Sequence, residues 1–401
     1  MPMNRTSVLT INGGSSSIKF SLYQSAIPMQ LLLSGKIERI GLSGTTLSYS
    51  ETGAGGQNSQ NIAAADHTAA ANFLIAWLEP KLASSQLSAI GHRIVHGMKH
   101  TQPELVSQAL LDELHSISSY DPEHLPLEIK LIEVFQRRYP QLPQVACFDT
   151  AFHHTLPRVA KRLPIPRRFD ALGLQRYGFH GLSYEFLLQE LELKAGKQAS
   201  RGRVILAHLG NGASLAAIHN GQSIDTSMGF TPTGGLPMGT RTGDLDPGVA
   251  WYLMQKEKLT PKQFNHLINH ESGLLGVSET SSDMHDLQLR AATDERAADA
   301  VELFCYQGKK WIGSYAAVLG GLDTLVFSGG IGENAPEIRA RICEGLAFLG
   351  LEIDEAGNNS NAEIISANSS RVEVRVMHTN EELVIARSVC QMLGLAIDKN
   401  K

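Results

Sequence analysis

The chain predicts an α/β fold in two or three domains, and three observations carry that reading. Its 401 residues exceed the ~100–200 of one ordinary domain. Short apolar, strand-like runs alternate with stretches of helical periodicity. One design also occurs twice. VLTINGGSSSIKFSLY near the start and VILAHLGNGASLAAI past the middle each set two apolar runs around a small polar loop. That duplication suggests two related half-domains rather than a tandem array.

The elements follow in chain order. Ser7–Ile11 and Ile18–Tyr23 read as strands flanking NGGSSS. The Ala-, Gly-, Ser- and Asn-rich stretch Gly53–Ala65 reads as a surface loop. Asp66 is placed to cap a helix through Trp77 that stops at Pro80. Val145–Phe148 is a short apolar strand ending at Asp149, a natural domain joint. Val204–Leu209 and Ser214–His219 form the second strand pair. Thr293, Asp294 and Glu295 open a long helix with Ala297, Val301, Cys305, Ile312, Tyr315, Ala316 and Leu319 on its apolar face. Thr324–Phe327 is a strand leading into SGGIGEN. Asn334 then caps a helix with Pro336 in its first turn and Ile338, Ile342, Leu346 and Leu349 along one face. Asn380, Glu381 and Glu382 start a last helix ending near Gly394.

Composition narrows the partners. Hydrophobic residues at 42% and charged residues at 19% fit a soluble globular protein. Lys+Arg 35 against Asp+Glu 40 leaves a net charge of −5, which argues against a basic nucleic-acid surface. An anionic ligand must be held by local Arg, backbone N–H groups or a metal. Gly 37 against Pro 16 fits many tight turns or loops where backbone meets ligand. Cys147, Cys305, Cys343 and Cys390 are scattered with no CxxC pair, as in a reduced intracellular chain. MPMNRTSVLTINGG lacks the apolar core of a signal peptide. Val204–Ile224 is broken by His208, Asn211, His219, Asn220 and Gln222, so it is a poor membrane span. The expectation is a cytoplasmic chain with no nucleic-acid or membrane partner.

Each polar motif has two readings. The two Gly/Ser hairpin loops supply convergent N–H groups for phosphate, or are only turns. Neither is a P-loop, because Lys19 follows Ser17 and Ile18 rather than sitting in GKS or GKT. In SGGIGENA, Gly330, Gly332 and Ala335 match G-x-G-x-x-A, with Glu352 and Asp354 about twenty residues on. That outlines a dinucleotide fingerprint and a nicotinamide-dependent dehydrogenase as a rival function. Arg93 in GHRIVHG and Arg241 in MGTRTGDLDPG either clamp phosphoryl oxygens or are tied down by backbone carbonyls. His92 and His96 have the i, i+4 spacing of a zinc pair. Asp149 is a ligand at a strand end or a cap. His180 in RYGFHGLSY is a satisfied core histidine or a catalytic one. Glu381 complements the last helix's dipole or serves a site.

Nine segments in order, INGGSSSIKF, GHRIVHG, FDTAFHHTLP, RYGFHGLSY, AHLGNGASL, DTSMGFTPTGGLPMGTRTGDLDPG, NHESGLLGVS, SGGIGENAPEIR and TNEEL, make the chain resemble the acetate/propionate kinase family over nearly its whole length. The resemblance implies two ribonuclease-H-like domains, the fold shared by acetate and sugar kinases, heat-shock chaperones and actin, with a nucleotide cleft between them. It implies boundaries at 1–149 and 150–381, with 382–401 as a helix returning to the first domain, and a homodimer. It also implies reversible transfer of a phosphoryl group from ATP to acetate, or to propionate or another short-chain carboxylate, aided by Mg2+ with Mn2+ as an alternative. On the matching motifs, Asn12 and Glu381 would position the metal, with Ser15, Ser17 and Lys19 near the phosphates. Arg93 and Arg241 would grip the carboxylate and the moving phosphoryl group, Asp149 would orient substrate or metal shell, and His180 and Asn211 would hydrogen-bond phosphoryl oxygens. His208, Leu209, Gly210, Asn211 and Gly212 would line the nucleotide phosphates. Gly330, Ile331, Gly332, Glu333 and Asn334 would hold the adenosine with Asp283, Met284 and His285. Arg93, Val95, Glu123, Phe179 and Pro232 would form the acyl pocket.

Three places depart from the family's pattern. Glu123 stands where an apolar residue usually precedes the His of its PLH stretch. His285 replaces an Arg, and GLSY replaces GTSH, bringing Leu182 and Tyr184. These touch substrate identity and nucleotide affinity more than reaction class. The reading predicts that Arg93→Ala or Arg241→Ala nearly abolishes turnover while the protein stays folded.

Overall fold

The computed structural model describes residues 6–53, 55–82 and 86–395. The chain forms two compact units, one made of Met1–Ala151 and Asn380–Lys401, the other of Phe152–Thr379. In the first unit the strands are β1 Thr6–Gly13, β2 Ser17–Gln24, β3 Gln30–Glu38, β4 Thr46–Glu51, β5 Asn58–Asn61, β6 Gln86–Ile94, β7 Glu104–Leu105 and β8 Gln144–Phe148. They lie in the order β5-β4-β3-β2-β1-β6-β8-β7. The second unit holds β9 Val204–Leu209, β10 Ala213–His219, β11 Gln222–Thr226, β12 Thr324–Ser328 and β13 Glu373–Val376, in the order β11-β10-β9-β12-β13.

The repeat seen in the sequence is a repeat of topology. In each sheet an antiparallel three-strand meander is followed by two strands parallel to its first: β3-β2-β1 then β6 and β8, β11-β10-β9 then β12 and β13. β1 and β9 are therefore central, and both are apolar on both faces, as strands covered on two sides must be. Val8, Leu9 and Ile11 are buried in β1, and Val204, Ile205 and Leu206 in β9. The first sheet adds β4, β5 and β7 at its edges.

The last helix, Glu381–Leu393, starts at Asn380, whose side chain accepts from the Leu383 N–H, and ends at Gly394 in the left-handed region. Its buried Ile385 and Val389 lie on β6 where Gly91 leaves room. A Cβ on Gly91 would come 2.4 Å from Ile385 Cγ2 and 2.7 Å from Val389 Cγ2. The long helix Glu295–Leu319 is capped by Asp294, whose carboxylate accepts from the Arg296 N–H. All four cysteines are buried, and burial pushes the Cys305 and Cys343 thiols up to about 12.

Three local expectations are corrected. Asp66 does accept from the Ala69 N–H at 2.8 Å, but the helix His67–Leu82 runs through Pro80. Proline costs a helix its i→i−4 bond anywhere past the first turn, and here Lys81 ties the last turn down through Glu51 and the Trp77 ring, 4.6 Å away. The stretch Gly53–Ala65 contains β5, an exposed NSQN strand paired with β4. It carries no apolar alternation, so nothing in its sequence marks it. Asn334 is the last residue of a short helix, Gly329–Asn334, and donates to Gly330 O at 3.0 Å. The next helix, Pro336–Cys343, begins without a side-chain cap and stops before Leu346 and Leu349.

Candidate active site

In the first unit, β1, β6 and β8 are adjacent and parallel, so their carboxyl ends share one edge of the sheet, where α/β folds place ligands. Asn12, Arg93 and Asp149 stand at those three ends. Asp149 is fully buried, and Arg93 donates to its Oδ2 from Nε at 3.0 Å and from Nη2 at 2.5 Å. Arg93 Nη1 also reaches Asn12 Oδ1 at 3.4 Å. Burial opposes the charge on Arg93, but Asp149, Glu381 and Glu128 outweigh it and hold the guanidinium protonated. The Asn12 amide donates to Glu381 Oε2 at 3.0 Å and to Glu382 Oε1 at 3.3 Å. The sequence-predicted Asn12, Arg93, Asp149 and Glu381 therefore form one hydrogen-bonded network.

That network offers only oxygen donors to a cation, an amide and two carboxylates that converge on it. Such a sparse, hard set suits Mg2+, which takes one or two carboxylates and fills its shell with water and phosphate oxygens. Among the described residues no three His, Cys, Asp or Glu side chains converge as a metal cage. The His92–His96 spacing falls on and just past β6, where i, i+4 does not bring two rings together as it does on a helix. His92 instead bonds Gln144 Oε1 at 2.6 Å, and burial pushes its pKa down to about 4.

The β1–β2 hairpin closes with the Gly14 N–H on Ser17 O at 2.8 Å, leaving Ser15 and Lys19 exposed and Ser17 half-buried. Val95 is buried just beyond β6, and its N–H donates to Glu128 Oε2 at 2.9 Å. Glu128, in the first turn of the helix Leu125–Arg138, is itself buried. Burial pushes its pKa up to about 8 against the pull of Arg93. No sequence signal pointed to it. Glu123 is half-buried.

In the second unit, β9 and β12 are parallel neighbours with Ser328 paired to His208. This puts the turn Gly210–Gly212 and the segment Gly329–Asn334 at the same sheet edge. A methyl group added to Gly212 would lie 3.1 Å from His180 Nε2 and 3.8 Å from Arg241 Nη1. His180, Arg241 and the GNG turn thus converge. Asn211 lies in the exposed turn, and its backbone oxygen accepts from the Gly239 N–H at 3.1 Å.

Two devices hold these groups. His180 sits at the N-cap of the helix Gly181–Ala195 with φ +58°, a strained value for a non-glycine residue of the kind found at functional sites. Behind it, buried His153 donates from Nε2 to Phe179 O at 3.1 Å while Nδ1 accepts from Ser223 Oγ at 2.8 Å. Burial pushes His153 down to about 4, which keeps it neutral in that role. Arg241 donates from Nη1 to Pro232 O at 3.1 Å, and its loop is closed by the Met238 N–H on Arg241 O at 3.0 Å. Gly273, φ +62°, makes the loop possible, because a Cβ there would fall 2.1 Å from Met238 O and 2.6 Å from Arg241 O. Phe179 and Pro232 are buried in this unit.

Of the remaining predicted nucleotide residues, several hold structural hydrogen bonds and others are open. Glu333 Oε1 accepts from the Gly329 N–H at 2.9 Å and from Ser328 Oγ at 3.2 Å, and Oε2 bonds His378 Nδ1 at 2.6 Å. Gly332 O accepts from buried Arg339, while Gly330 has open space beside its Cα. Gly330, Ile331 and Gly332 lie inside a helical turn that breaks at Ala335. The fingerprint needs glycines in a loop opening onto one continuous helix, so this geometry does not support it. Asp283 caps the helix Met284–Arg290 through the Asp286 N–H at 3.0 Å, with Met284 buried and His285 exposed. Arg241 is tied to the Pro232 carbonyl, while Arg176 donates to four, the Ala160, Thr226, Ser227 and Met228 oxygens.

Known proteins match along the whole chain. The Acetokinase family model covers residues 7–387. A propionate kinase of Citrobacter rodentium is 44% identical over 394 residues, covering 96% of this chain and 96% of its own. An acetate kinase of Methylocella silvestris is 42% identical over 397 residues, covering 96% of this chain and 98% of its own. The crystal structure of a propionate kinase from Francisella tularensis matches with a TM-score of 0.89 at 35% identity, over 96% of this chain and 98% of that one.

Proposed function

The chain belongs to the acetokinase family and is a phosphotransferase with a carboxyl acceptor; from that premise we propose that it transfers the γ-phosphoryl group of ATP reversibly to acetate, giving acetyl phosphate and ADP. Its fold is the two-domain α/β architecture of the acetate and sugar kinases. Family membership removes the dehydrogenase reading. One observation carries the proposal: His180 Nε2 and Arg241 Nη1 converge beside Gly212 in the GNG turn, the donor set that a phosphoryl group needs.

The chemistry asks little else of the protein. A carboxylate is already ionised at neutral pH, since carboxyl groups titrate near ~4, so no general base is required. One carboxylate oxygen attacks the γ-phosphorus as the bond to the β-phosphate oxygen breaks. Charge gathers on the phosphoryl oxygens of a loose transition state. Arg93, fixed by buried Asp149, orients the carboxylate. Arg241, His180 and Asn211 neutralise and position the phosphoryl oxygens, and the GNG turn and Gly330 region receive the nucleotide. Asn12 and Glu381, with Glu382 beside them, would hold Mg2+, whose part is to offset phosphate charge.

Relatives of both names match, so propionate is the second reading. Half-buried Glu123 bears on it, because a carboxylate near an alkyl tail is unfavourable unless it is turned away or paired. The chain is also proposed to act as a homodimer in the cytoplasm. Among the described residues no helix is long and apolar enough to cross a membrane. Trapping the acyl phosphate with hydroxylamine tests the whole reading. ATP, Mg2+ and acetate should yield hydroxamate, a series of propionate, butyrate and a polar acid ranks the acceptors, and absence of hydroxamate with every acid rejects the function.

A further inference from the structure

The departure GLSY places Tyr184 one helical turn after His180, and its backbone N–H bonds His180 O at 3.0 Å. The i, i+4 relation puts both side chains on one face, where they meet Ser214 of β10. Tyr184 Oη lies 2.5 Å from Ser214 Oγ, and His180 Nδ1 lies 2.8 Å from that same oxygen. Tyr184 and Ser214 are fully buried, and the phenol ring is packed against Phe152 and His153.

We propose that Tyr184 is a positioning residue which, through Ser214, fixes the tautomer of His180 so that Nε2 carries the proton. A serine hydroxyl has one proton and two lone pairs. Of the two hydroxyls the phenol is much the stronger acid, so the short contact forms with Tyr184 donating. Among the described residues Ser214 Oγ meets only Tyr184 Oη and His180 Nδ1, so its own buried proton is satisfied only at Nδ1, which accepts. A neutral imidazole that accepts at one nitrogen donates at the other. Nε2–H therefore faces the Gly212 position beside Arg241, where a phosphoryl oxygen needs donors. Without the phenol, Ser214 can equally accept from Nδ1–H, and Nε2 would present a lone pair to an anion.

The neighbouring ring points the same way. The His208 ring lies tilted against His180 with centroids 4.4 Å apart and planes at 31°, close enough to disfavour charging both. Its Nδ1 bonds Ser183 Oγ, which passes its proton to Thr379 Oγ1 at 2.8 Å. Ser183 therefore accepts from His208 Nδ1–H, and the two neighbouring rings carry opposite tautomers.

The inference rests on the kinase reading for its consequence, but not for its structural content, and the test separates the two. Histidine-specific 15N labelling of the full chain reads the tautomer directly from the ring nitrogens, with His180→Gln used only to assign the signal. Wild type should show His180 as Nε2–H and His208 as Nδ1–H. Tyr184→Phe keeps the ring packing and should shift His180 toward Nδ1–H. Its kcat should fall about ten- to a hundredfold, as when the partner orienting a functional histidine is lost, with the carboxylate KM within twofold. Ser214→Ala should give a similar loss, and the double variant no further one. An unchanged His180 tautomer in Tyr184→Phe, or additive losses, overturns the relay. A wild-type enzyme without hydroxamate activity rejects the kinase reading while the tautomer result still decides the relay.

Discussion

Arg93 and Arg241 differ in what their removal leaves behind. Both substitutions to Ala should lower turnover by ~10³-fold or more, the worth of a charge-stabilising arginine in phosphoryl transfer, read as hydroxamate rate. Arg241 donates to a loop carbonyl and should leave folding nearly unchanged. Arg93 neutralises a fully buried Asp149, so Arg93→Ala strands a charge and should cost about 3–5 kcal/mol in denaturant unfolding. Adding Asp149→Asn should recover part of that stability but none of the activity. Equal stability of the two alanine variants would contradict this account of Arg93, and it revises the sequence-based expectation that either variant stays folded untroubled. Glu128 gives a pH test. Burial lifts its folded value from 4.5 to about 8, so between those values the folded state holds a proton that the unfolded chain has released. Its contribution is thus complete at low pH and is lost as pH rises through about 8. Glu128→Gln should flatten the decline in unfolding midpoint between pH 4.5 and about 8, and an unaltered pH profile there would refute it. Arg93 and His180 were legible because they sit in Gly-flanked motifs, and Asp149 because it ends a short apolar strand. Glu128 was not, since a Glu in a first helical turn ordinarily means a dipole partner at the surface.

At the scale of elements, the helix Glu381–Leu393 links fold to site. It carries Glu381 and Glu382 on its first turn and packs through Ile385 and Val389 onto Gly91. Gly91→Ala forces a Cβ into that contact and should cost about 1–3 kcal/mol by overpacking. By tilting the first turn away from Asn12 it should also raise the Mg2+ concentration needed for half-maximal rate. Normal stability together with normal Mg2+ dependence would argue that the helix does not set the site. The two ends of this helix, the Asn380 cap and Gly394, were readable because capping is a local property. The misreadings were also local in origin. Pro80 looked like a stop because sequence does not report Lys81's contacts with Glu51 and Trp77. β5 was invisible because an edge strand of Asn, Ser and Gln gains its order from pairing with β4 rather than from burial. Asn334 looked like a cap, whereas its amide turns back on Gly330.

For the whole molecule, the twice-used hairpin in the sequence proved to be a twice-used sheet order, with β1 and β9 at the two centres. The two central hairpins came through because their strands are apolar on both faces, whereas the order of strands around them was not read from the sequence. The edge additions β4, β5 and β7 came from no such signal. A homodimer has a physical candidate in the helix Pro247–Lys256, where Trp251 and Tyr252 stand 68% and 58% exposed beside Val249. If that face is covered by a second copy, Trp251→Lys should convert a dimer to monomer in sedimentation without unfolding it. A wild-type monomer, or a variant still dimeric, would exclude this face. The charge of −5 leaves anion binding to local groups, and phosphorus itself reports whether they do the proposed work. The most direct measurement is 31P NMR of the wild-type protein with ATP, Mg2+ and acetate. The account predicts that ADP and an acyl phosphate resonance rise together in equal amounts, and that the acyl phosphate falls while ATP returns when ADP is added in excess. ADP accompanied only by inorganic phosphate, or ATP left intact, would contradict it.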